Sequence, residues 1–146
     1  MLALIQRVTE AAVRVDGQVV GAIGPGLLAL VAIEPGDGEP QVARMAQRLL
    51  GYRVFEDADG RLNLSVADTG GGLLLVSQFT LAADTASGMR PGFSTAAAPG
   101  LAEPVFNRLL ETCRARHAPG VETGHFGAHM LVSLVNDGPA TFLLRA

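Results

Sequence analysis

Hydrophobic and polar positions at the start of the chain predict strands. Residues 2–8 alternate between apolar and polar side chains, which is typical of a half-buried strand. Asp16-Gly17 is flanked by β-branched residues, and this combination is a strong signal for a β-hairpin. Residues 27–33 form a continuous apolar run, typical of a strand that is buried on both faces. We therefore expect three strands before the first helix.

Two later segments show the apolar period of an α-helix. The first stripe, which Gly51 should follow as the C′ residue, comprises Val42, Met45, Ala46, Leu49 and Leu50. The second stripe comprises Ala102, Val105, Phe106, Leu109, Leu110 and Cys113. Pro104 falls in the first turn of the second helix, where proline is tolerated. Because Cys113 lies on the buried stripe, we expect a core thiol rather than a reactive one.

Between the helices, residues 52–55 and 73–81 look like strands, and the second of these ends in polar groups. Residues 82–100 have no periodicity. An irregular loop of that length in a compact domain is usually functional or mobile.

The C-terminal pattern has two apolar runs, residues 130–135 and 141–144, which we interpret as strands. Between them, residues 136–140 read Asn-Asp-Gly-Pro-Ala, a composition that favours a tight turn. One feature fits a plain turn poorly. Gly138-Pro139 is an X-Pro bond, the one context in which a cis peptide is energetically accessible, and the sequence leaves the isomer open.

The order of these elements indicates an α/β fold class. Two main helices are too few to cover both faces of a wide sheet, so we expect a layered, β-rich domain with sheet packed on sheet. A chain of 146 residues is the size of one ordinary domain, and no repeat or linker divides it. Residues 1–146 are therefore treated as a single domain.

Composition adds one expectation about partners and one about charge. Apolar residues make up 49% of the chain, which is explained either by apolar surface reserved for a partner or by an alanine- and leucine-rich proteome. The formal net charge is −3, whereas proteins that follow a nucleic-acid backbone are usually basic. Any RNA contact should therefore be small and local, with fewer than about four phosphates bound.

The single cysteine excludes an intramolecular disulfide and fits a reducing compartment. Residues 1–7 are too short and too early in charge for a signal peptide. No apolar run approaches the length of a membrane span. We therefore expect a cytoplasmic protein with no membrane partner.

The side chains that could carry chemistry are few. Ser77 lacks the Gly-x-Ser-x-Gly elbow of serine hydrolases. The only histidines are His117, His125 and His129, and a zinc site has no evident third ligand. Thr80 is a candidate nucleophile, yet no base is obvious. If the chain is a hydrolase, we expect backbone N–H groups and substrate positioning to provide catalysis, and no metal or cofactor.

Two motifs together resemble a known family. Residues 77–81 read Ser-Gln-Phe-Thr-Leu and residues 136–141 read Asn-Asp-Gly-Pro-Ala-Thr. At this separation they closely resemble the D-aminoacyl-tRNA deacylase family, and the resemblance extends over essentially the whole chain. It implies a homodimer that binds the 3′ end of aminoacyl-tRNA and cleaves the ester of a D-amino acid, which is chiral proofreading in translation. It implies no obligatory partner protein besides the second copy.

The resemblance also implies roles for individual residues. Gly138 and Pro139 form a cis dipeptide that reaches into the other subunit's site and screens the α-carbon. The implied catalytic segment, which holds the aminoacyl-adenosine, consists of Ser77, Gln78, Phe79 and Thr80. The implied substrate contacts are Arg7, Phe126, Met130, Asn136 and Thr141. Within this set, Arg7 orients the Gly-Pro segment, and Phe126 and Met130 form walls for the adenine. Phe79 either stacks on the substrate or belongs to the core.

Two positions depart from the family pattern. Gly92 replaces a serine that is usual in the loop, so a hydroxyl is absent there, and His129 occupies a position where an acidic residue is common. Two rival functions are kept: an acyl-enzyme hydrolase with Thr80 as nucleophile, and a non-catalytic dimeric module that binds nucleic-acid ends. Hydrolysis of D- and L-aminoacyl esters distinguishes all three.

Overall fold

The computed structural model describes all residues, 1–146. The strands in chain order are β1 Leu2–Val15, β2 Gln18–Ile23, β3 Gly26–Ala32, β4 Phe55–Glu56, β5 Leu62–Leu64, β6 Gly72–Ser77, β7 Val121–Thr123 and β8 Leu131–Arg145. The helices are α1 Glu39–Gly51, α2 Val66–Thr69 and α3 Pro99–Arg116. A 3₁₀ turn, Phe79–Ala82, follows β6. None of the helices has the length and apolarity required to span a bilayer.

The predicted hairpin at Asp16-Gly17 is confirmed. Both residues have positive φ, 49° and 78°, the combination that a two-residue hairpin turn requires. β1 then pairs antiparallel with β2 and, further along the same edge, with β3. The strand predicted over residues 2–8 is therefore only the first half of a strand of 14 residues.

The main sheet has six strands in the order β8, β1, β3, β6, β7, with β2 continuing the line of β3 beside β1. One face of this sheet packs on α1 and α3 in a core of 23 buried residues. All five residues of the first predicted helical stripe are buried there, and so are five of the six in the second. Val105, the sixth, is partly buried against the same core. The two main helices are thus confirmed.

The second face of the main sheet is covered by part of the same sheet, whereas the prediction was that a separate sheet packs on it. β2 crosses over β6 and β7 of the same sheet, so the second layer is the far end of the long hairpin. This approach is close, because a Cβ at Gly21 would collide with the carbonyl oxygen of Thr123. Val13, Leu28, Leu74 and others form a separate small core in the resulting curl.

The ends of both main helices, and of the strand after α1, differ from those predicted from the sequence. α1 includes Gly51, which was predicted to lie just beyond it, and Tyr52 is the C-cap. The strand predicted over residues 52–55 shortens to β4, because the Val54 carbonyl accepts a side-chain hydrogen bond instead of joining a ladder. α3 begins at Pro99, so Pro104 lies inside the helix rather than in its first turn.

The tight turn predicted for residues 136–140 is wrong. β8 is one continuous strand, and residues on both sides of this segment pair antiparallel with β1. Gln6 is opposite Thr141 and Val8 is opposite Asn136, so β8 has four residues between these pairs where β1 has only Arg7. The segment is therefore a bulge in the ladder. A turn would have sent the second run back along the first, but both runs have β1 as their partner.

Candidate active site

A cavity of about 670 Å³ opens where β3 and β6 end. Its walls come from four parts of the chain: the end of β3, residues 77–79, residues 93–99 with the start of α3, and residues 126–132. The loop that the sequence marked as functional or mobile therefore contributes one side of it. Most of the lining is apolar, which suits a ligand with a flat, weakly polar part.

Four aromatic rings line the cavity in two pairs. Phe79 and Phe93 have ring centroids 5.3 Å apart, and Phe106 and Phe126 are 6.0 Å apart. Phe79 is 56% exposed, so of its two predicted roles the core role is wrong. Tilted aromatic pairs of this kind offer faces and edges on which a purine ring can stack. Sequence reasoning named Phe79 and Phe126 but missed the other two.

The chain turns sharply at the cavity. The Gln78 N–H donates to the Val31 carbonyl at 2.7 Å, which ends the parallel ladder, and the 3₁₀ turn begins at the next residue. The first N–H groups of such a turn have no acceptor within it. Accordingly, the N–H groups of Phe79 and Thr80 donate to no protein acceptor. Two free backbone donors thus lie side by side next to the cavity.

The side chains near this turn include no acid–base pair. Gln78 Nε2 donates to the Thr80 hydroxyl oxygen at 2.6 Å, and no histidine or carboxylate contacts that hydroxyl. His117 is buried and hydrogen-bonds the Gly71 carbonyl at 2.8 Å, while His125 and His129 are exposed. No three His, Cys, Asp or Glu side chains come together as a metal site.

Cys113 confirms its predicted place in the core. Its side chain is fully buried between α3 and the sheet, and burial raises the pKa of the thiol to about 12. A thiol in this state is neutral at physiological pH and is not a nucleophile.

Residues 136–141, here called the Gly-Pro segment, are held from below by Arg7. Arg7 Nε donates to the Asp137 carbonyl and pairs with its carboxylate, both at 3.0 Å. Arg7 Nη1 donates to the Val54 carbonyl at 2.7 Å. Because Arg7 is buried and its guanidinium is engaged by protein groups, it can orient this segment but is poorly placed to contact a substrate itself.

Further contacts fix the same segment. Asn136 Nδ2 donates to the Arg7 carbonyl at 2.8 Å, and Gln6 Nε2 donates to the Thr141 hydroxyl oxygen at 3.2 Å. A Cβ at Gly138 would lie 2.8 Å from Asn136 Oδ1, so a larger residue there would displace the Asn136 side chain. The Gly138-Pro139 bond is cis, and both residues are exposed. The role of Gln6 was not predicted from the sequence, where only its strand position was visible.

The predicted site residues form two separate groups in one chain. Ser77, Gln78, Phe79, Phe126 and Met130 line the cavity, and Thr80 adjoins it in the 3₁₀ turn. The other group lines no part of it: Arg7, Asn136, Gly138, Pro139 and Thr141. Val132 lines the cavity and lies six residues before Gly138 on β8, which is roughly 20 Å of extended chain.

A comparison with known protein families identifies the family to which the chain belongs. The family model described as D-Tyr-tRNA(Tyr) deacylase matches residues 4–145. The chain belongs to the D-Tyr-tRNA(Tyr) deacylase family. Deacylases are hydrolases, so the prediction of an enzyme, and of this family, is confirmed.

Curated relatives of this deacylase family agree over the full length. Proteins named D-aminoacyl-tRNA deacylase from Stenotrophomonas maltophilia (strain K279a) and Xanthomonas campestris pv. campestris (strain 8004) are 73% and 72% identical over 145 residues. Each alignment covers 99% of this chain and 99% of the relative.

Solved structures share the deacylase fold. The structure titled c-Myc DNA Unwinding Element Binding Protein has a TM-score of 0.95 and 39% identity, covering 100% of this chain and 99% of that one. A structure described as a probable eukaryotic D-amino acid tRNA deacylase has a TM-score of 0.85 at 16% identity, covering 99% of this chain and 98% of that one. The second likeness shows the fold alone.

The two departures from the deacylase pattern have different settings. Gly92 pairs with Asp84 through two backbone hydrogen bonds, N–H to carbonyl at 2.8 and 2.9 Å. A Cβ at Gly92 would be 3.7 Å from its nearest neighbour, so a serine would fit and its absence removes a hydroxyl without filling a gap. His129 is exposed at the edge of the cavity wall between Ala128 and Met130.

Proposed function

We propose that this chain hydrolyses the ester bond of D-aminoacyl-tRNA and releases the D-amino acid and tRNA. The observation that carries the proposal is an apolar cavity beside two unpaired backbone N–H groups, in a member of this family. The relatives named D-aminoacyl-tRNA deacylase support the same substrate. In this reading the terminal adenosine occupies the aromatic part of the cavity, between the walls formed by Phe126 and Met130.

Catalysis by the backbone follows from the inventory of groups. As the ester carbonyl is attacked by water, negative charge develops on its oxygen, and the N–H groups of Phe79 and Thr80 can stabilise that charge. An aminoacyl ester is already activated, so no strong protein nucleophile is required. The ribose 2′-hydroxyl of the substrate lies next to the reacting ester and assists proton transfer. The Thr80 hydroxyl is tied to Gln78 and has no base, which weighs against the acyl-enzyme mechanism.

Selection for D-amino acids is assigned to the Gly-Pro segment of a second copy. A site can discriminate enantiomers by fitting the correct side chain or by blocking the wrong one. Because D-amino acids differ widely in size, blocking next to the α-carbon serves all of them. The segment is exposed, Arg7 holds it in place, and Gly138 leaves its backbone carbonyls uncovered by a Cβ. These carbonyls can accept hydrogen bonds from the substrate ammonium while occupying the space an L side chain needs.

A homodimer follows from the surface of β8. Leu131, Val135, Phe142 and Leu143 are 36–63% exposed on this strand, whose outer edge pairs with no other strand. An exposed edge with apolar side chains is a surface that proteins normally cover. Two copies that meet there would bring each Gly-Pro segment near the other chain. Sedimentation at low micromolar concentration should give about 30 kDa, twice the chain mass of 15.1 kDa.

Hydrolysis of D-aminoacyl-, L-aminoacyl- and glycyl-tRNA by the purified protein tests the proposal. We expect cleavage of several D-aminoacyl esters, little cleavage of L-aminoacyl esters, and cleavage of glycyl esters, because glycine has no side chain to reject. Comparable rates for D- and L-substrates would refute the screen. A fully active monomer would refute its cross-subunit origin.

A second candidate function is a non-catalytic module that binds nucleic-acid ends. It is favoured by one observation, the 39% identical structure titled c-Myc DNA Unwinding Element Binding Protein. The net charge of −3 opposes an extended duplex footprint. Binding of tRNA without any ester hydrolysis would support this function instead.

A further inference from the structure

A positively charged surface lies on the exposed side of α1, away from the cavity. An open cleft of about 370 Å³ lies there, lined by residues three or four positions apart that share one side of the helix: Arg44, Gln47, Arg48, Gly51 and Tyr52. Arg145, at the end of β8, adjoins them through its carbonyl, which accepts a hydrogen bond from Arg48 Nη1 at 2.8 Å. We call these six residues the arginine face.

The arginine face carries charge that the protein does not neutralise. Arg44, Arg48 and Arg145 form no ion pair, whereas Arg7 and Arg108 each pair with a carboxylate. Glu34, near the same end of the sheet, binds the Met1 ammonium at 2.7 Å. The side chains of Arg44 and Arg48 lie one helical turn apart and line the same cleft, and two adjacent positive charges attract an anion.

Arg48 is also held in a fixed position before any ligand arrives. Its guanidinium carbon lies 5.4 Å from the centroid of the Tyr52 ring, and Tyr52 in turn packs on Phe142 at 6.2 Å. A stacked guanidinium retains free N–H donors at its edge, and these match the oxygens of a phosphate in a bidentate contact. This arrangement differs from a mobile surface arginine, which must be ordered when it binds.

The position of the arginine face relates it to the cavity. Arg145 is opposite Leu2 on β1, and Leu2 is opposite Ala32 on β3. Ser77 pairs with the residue before Ala32, so β8 and the cavity end of β6 are three strand spacings apart. That distance is roughly 14 Å. A nucleotide in the cavity therefore does not reach the Arg145 end of the arginine face, and only the nucleotides that precede it in the same strand can extend that far.

We propose that the arginine face binds phosphates of the nucleotides that precede the terminal adenosine when the tRNA 3′ end occupies the cavity. This inference rests on the proposed function and identifies the part of the tRNA that the protein holds. It also accounts for how an acidic protein binds RNA, because two adjacent arginines supply a small, local set of phosphate contacts.

The test compares a long and a short substrate in the intact protein. Arg44→Gln and Arg48→Gln are combined, and hydrolysis of D-aminoacyl-tRNA and of D-aminoacyl-adenosine is measured between 50 and 200 mM salt. Each phosphate contact to a single strand contributes about 0.7 to the log–log salt slope. We expect the slope of KM for the tRNA to fall by about 1.4, with kcat unchanged. The adenosine ester, which has no phosphate, should be cleaved as by the wild type.

Matched variants separate this effect from a general loss of charge. Arg61→Gln with Arg116→Gln removes the same charge from exposed arginines that form no ion pair elsewhere, and should leave the slope unchanged. Arg48→Lys in place of Arg48→Gln should restore part of the lost slope, because it retains a positive charge.

Three results would overturn the inference. One is an equal change in both double variants, and another is an equal loss on the adenosine ester. The third is a monomeric Arg44→Gln/Arg48→Gln protein, which would assign the arginine face to contact between copies. If the wild type cleaves neither ester, the proposed function fails. The salt dependence of affinity for uncharged tRNA then tests the arginine face separately.

Discussion

The cavity and the Gly-Pro segment are built in opposite ways. The cavity is concave and apolar, and its walls come from four parts of the chain that are far apart in sequence. The Gly-Pro segment is one run of residues that projects from a strand, and polar contacts from Arg7 and Gln6 fix it from below. The first can enclose a ligand but has few polar groups, while the second has two exposed residues, Gly138 and Pro139, but encloses nothing.

This difference separates catalysis from selection. A binding site needs both a shaped apolar volume and a few fixed polar groups, and the cavity with its two free backbone N–H groups provides both. In one chain, the Gly-Pro segment does not reach that cavity. In the dimer proposed above, the Gly-Pro segment of one chain would meet the cavity of the other. Each of the following substitutions alters one region while sparing the other.

The largest effect should come from filling the cavity. Ala97→Trp introduces an indole at a partly buried lining residue, which should exclude the adenosine. Since misplacement of a substrate by about 1 Å can cost a hundredfold, we expect kcat/KM for D-aminoacyl-tRNA to fall by at least that factor. Steady-state hydrolysis measures it. Ala115→Trp, on the exposed side of α3, is the control and should retain activity. Retained activity in Ala97→Trp would mean that the substrate binds elsewhere.

The next effect concerns the support under the Gly-Pro segment. Arg7→Met leaves the buried Val54 carbonyl without its donor and frees Asp137. The free energy of unfolding should fall by about 2 kcal/mol, the range for an unsatisfied buried polar group. Urea denaturation measures the loss. Arg14→Met on the same strand is exposed and should change stability by less than about 0.5 kcal/mol. An equal loss in both variants would mean that the Arg7 contacts contribute little.

A smaller effect should separate selectivity from activity. Gly138→Ala places a Cβ 2.8 Å from Asn136 Oδ1, so the Asn136 side chain, which donates to the Arg7 carbonyl and helps to fix the segment, must shift. If its carbonyls screen the α-carbon, the ratio of D- to L-ester hydrolysis should fall by roughly tenfold, within the range for steric discrimination. Paired assays on both enantiomers give the ratio. Gly100→Ala, where a Cβ meets nothing within 4 Å, should keep it. If Gly138→Ala leaves the ratio of D- to L-ester hydrolysis unchanged, the Gly-Pro segment does not select against L-amino acids.

The smallest effect should come from Thr80. Its hydroxyl contacts only Gln78, so Thr80→Ala should reduce kcat by less than about threefold, the equivalent of one weak hydrogen bond. Removal of a true nucleophile commonly costs on the order of 10⁴–10⁶ in kcat. A loss of that size in a folded dimer would restore the acyl-enzyme mechanism and place the decisive chemistry in a side chain.

Local patterns in the sequence predicted most of the fold. The stripes of α1 and α3 and the Asp-Gly hairpin depend on neighbours within a few residues, so their periodicity was sufficient. Two errors have one cause. Residues 136–140 have the composition of a turn, but both flanks pair with β1, which lies more than 120 residues earlier. The curl of β2 over β7 likewise depends on partners distant in sequence.

In the candidate site, too, local features were predictable from the sequence and contacts between distant parts of the chain were not. A local pattern predicted the strand and its polar end, but only the family resemblance implied that residues 77–80 line a pocket; in the structure Ser77, Gln78 and Phe79 line the cavity. Phe93 and Phe106 were missed as lining residues, since an irregular loop and a helix meet there only in the folded chain. Residue types alone could not separate Arg7 as a support from Arg7 as a substrate ligand. Only its contacts with Val54 and Asp137 do so.

The buried Cys113 makes local opening of the core measurable through the rate at which its thiol is labelled. It is the only thiol in the chain and lies where α3 meets the sheet, so a labelling reagent can reach it only when that packing separates. The rate of thiol modification in the native state therefore reports how often the central layer opens, without an added probe or a mutation. A bound substrate that favours the closed form would lower the rate of Cys113 labelling. Ligand binding could therefore be measured at a residue that does not contact the ligand.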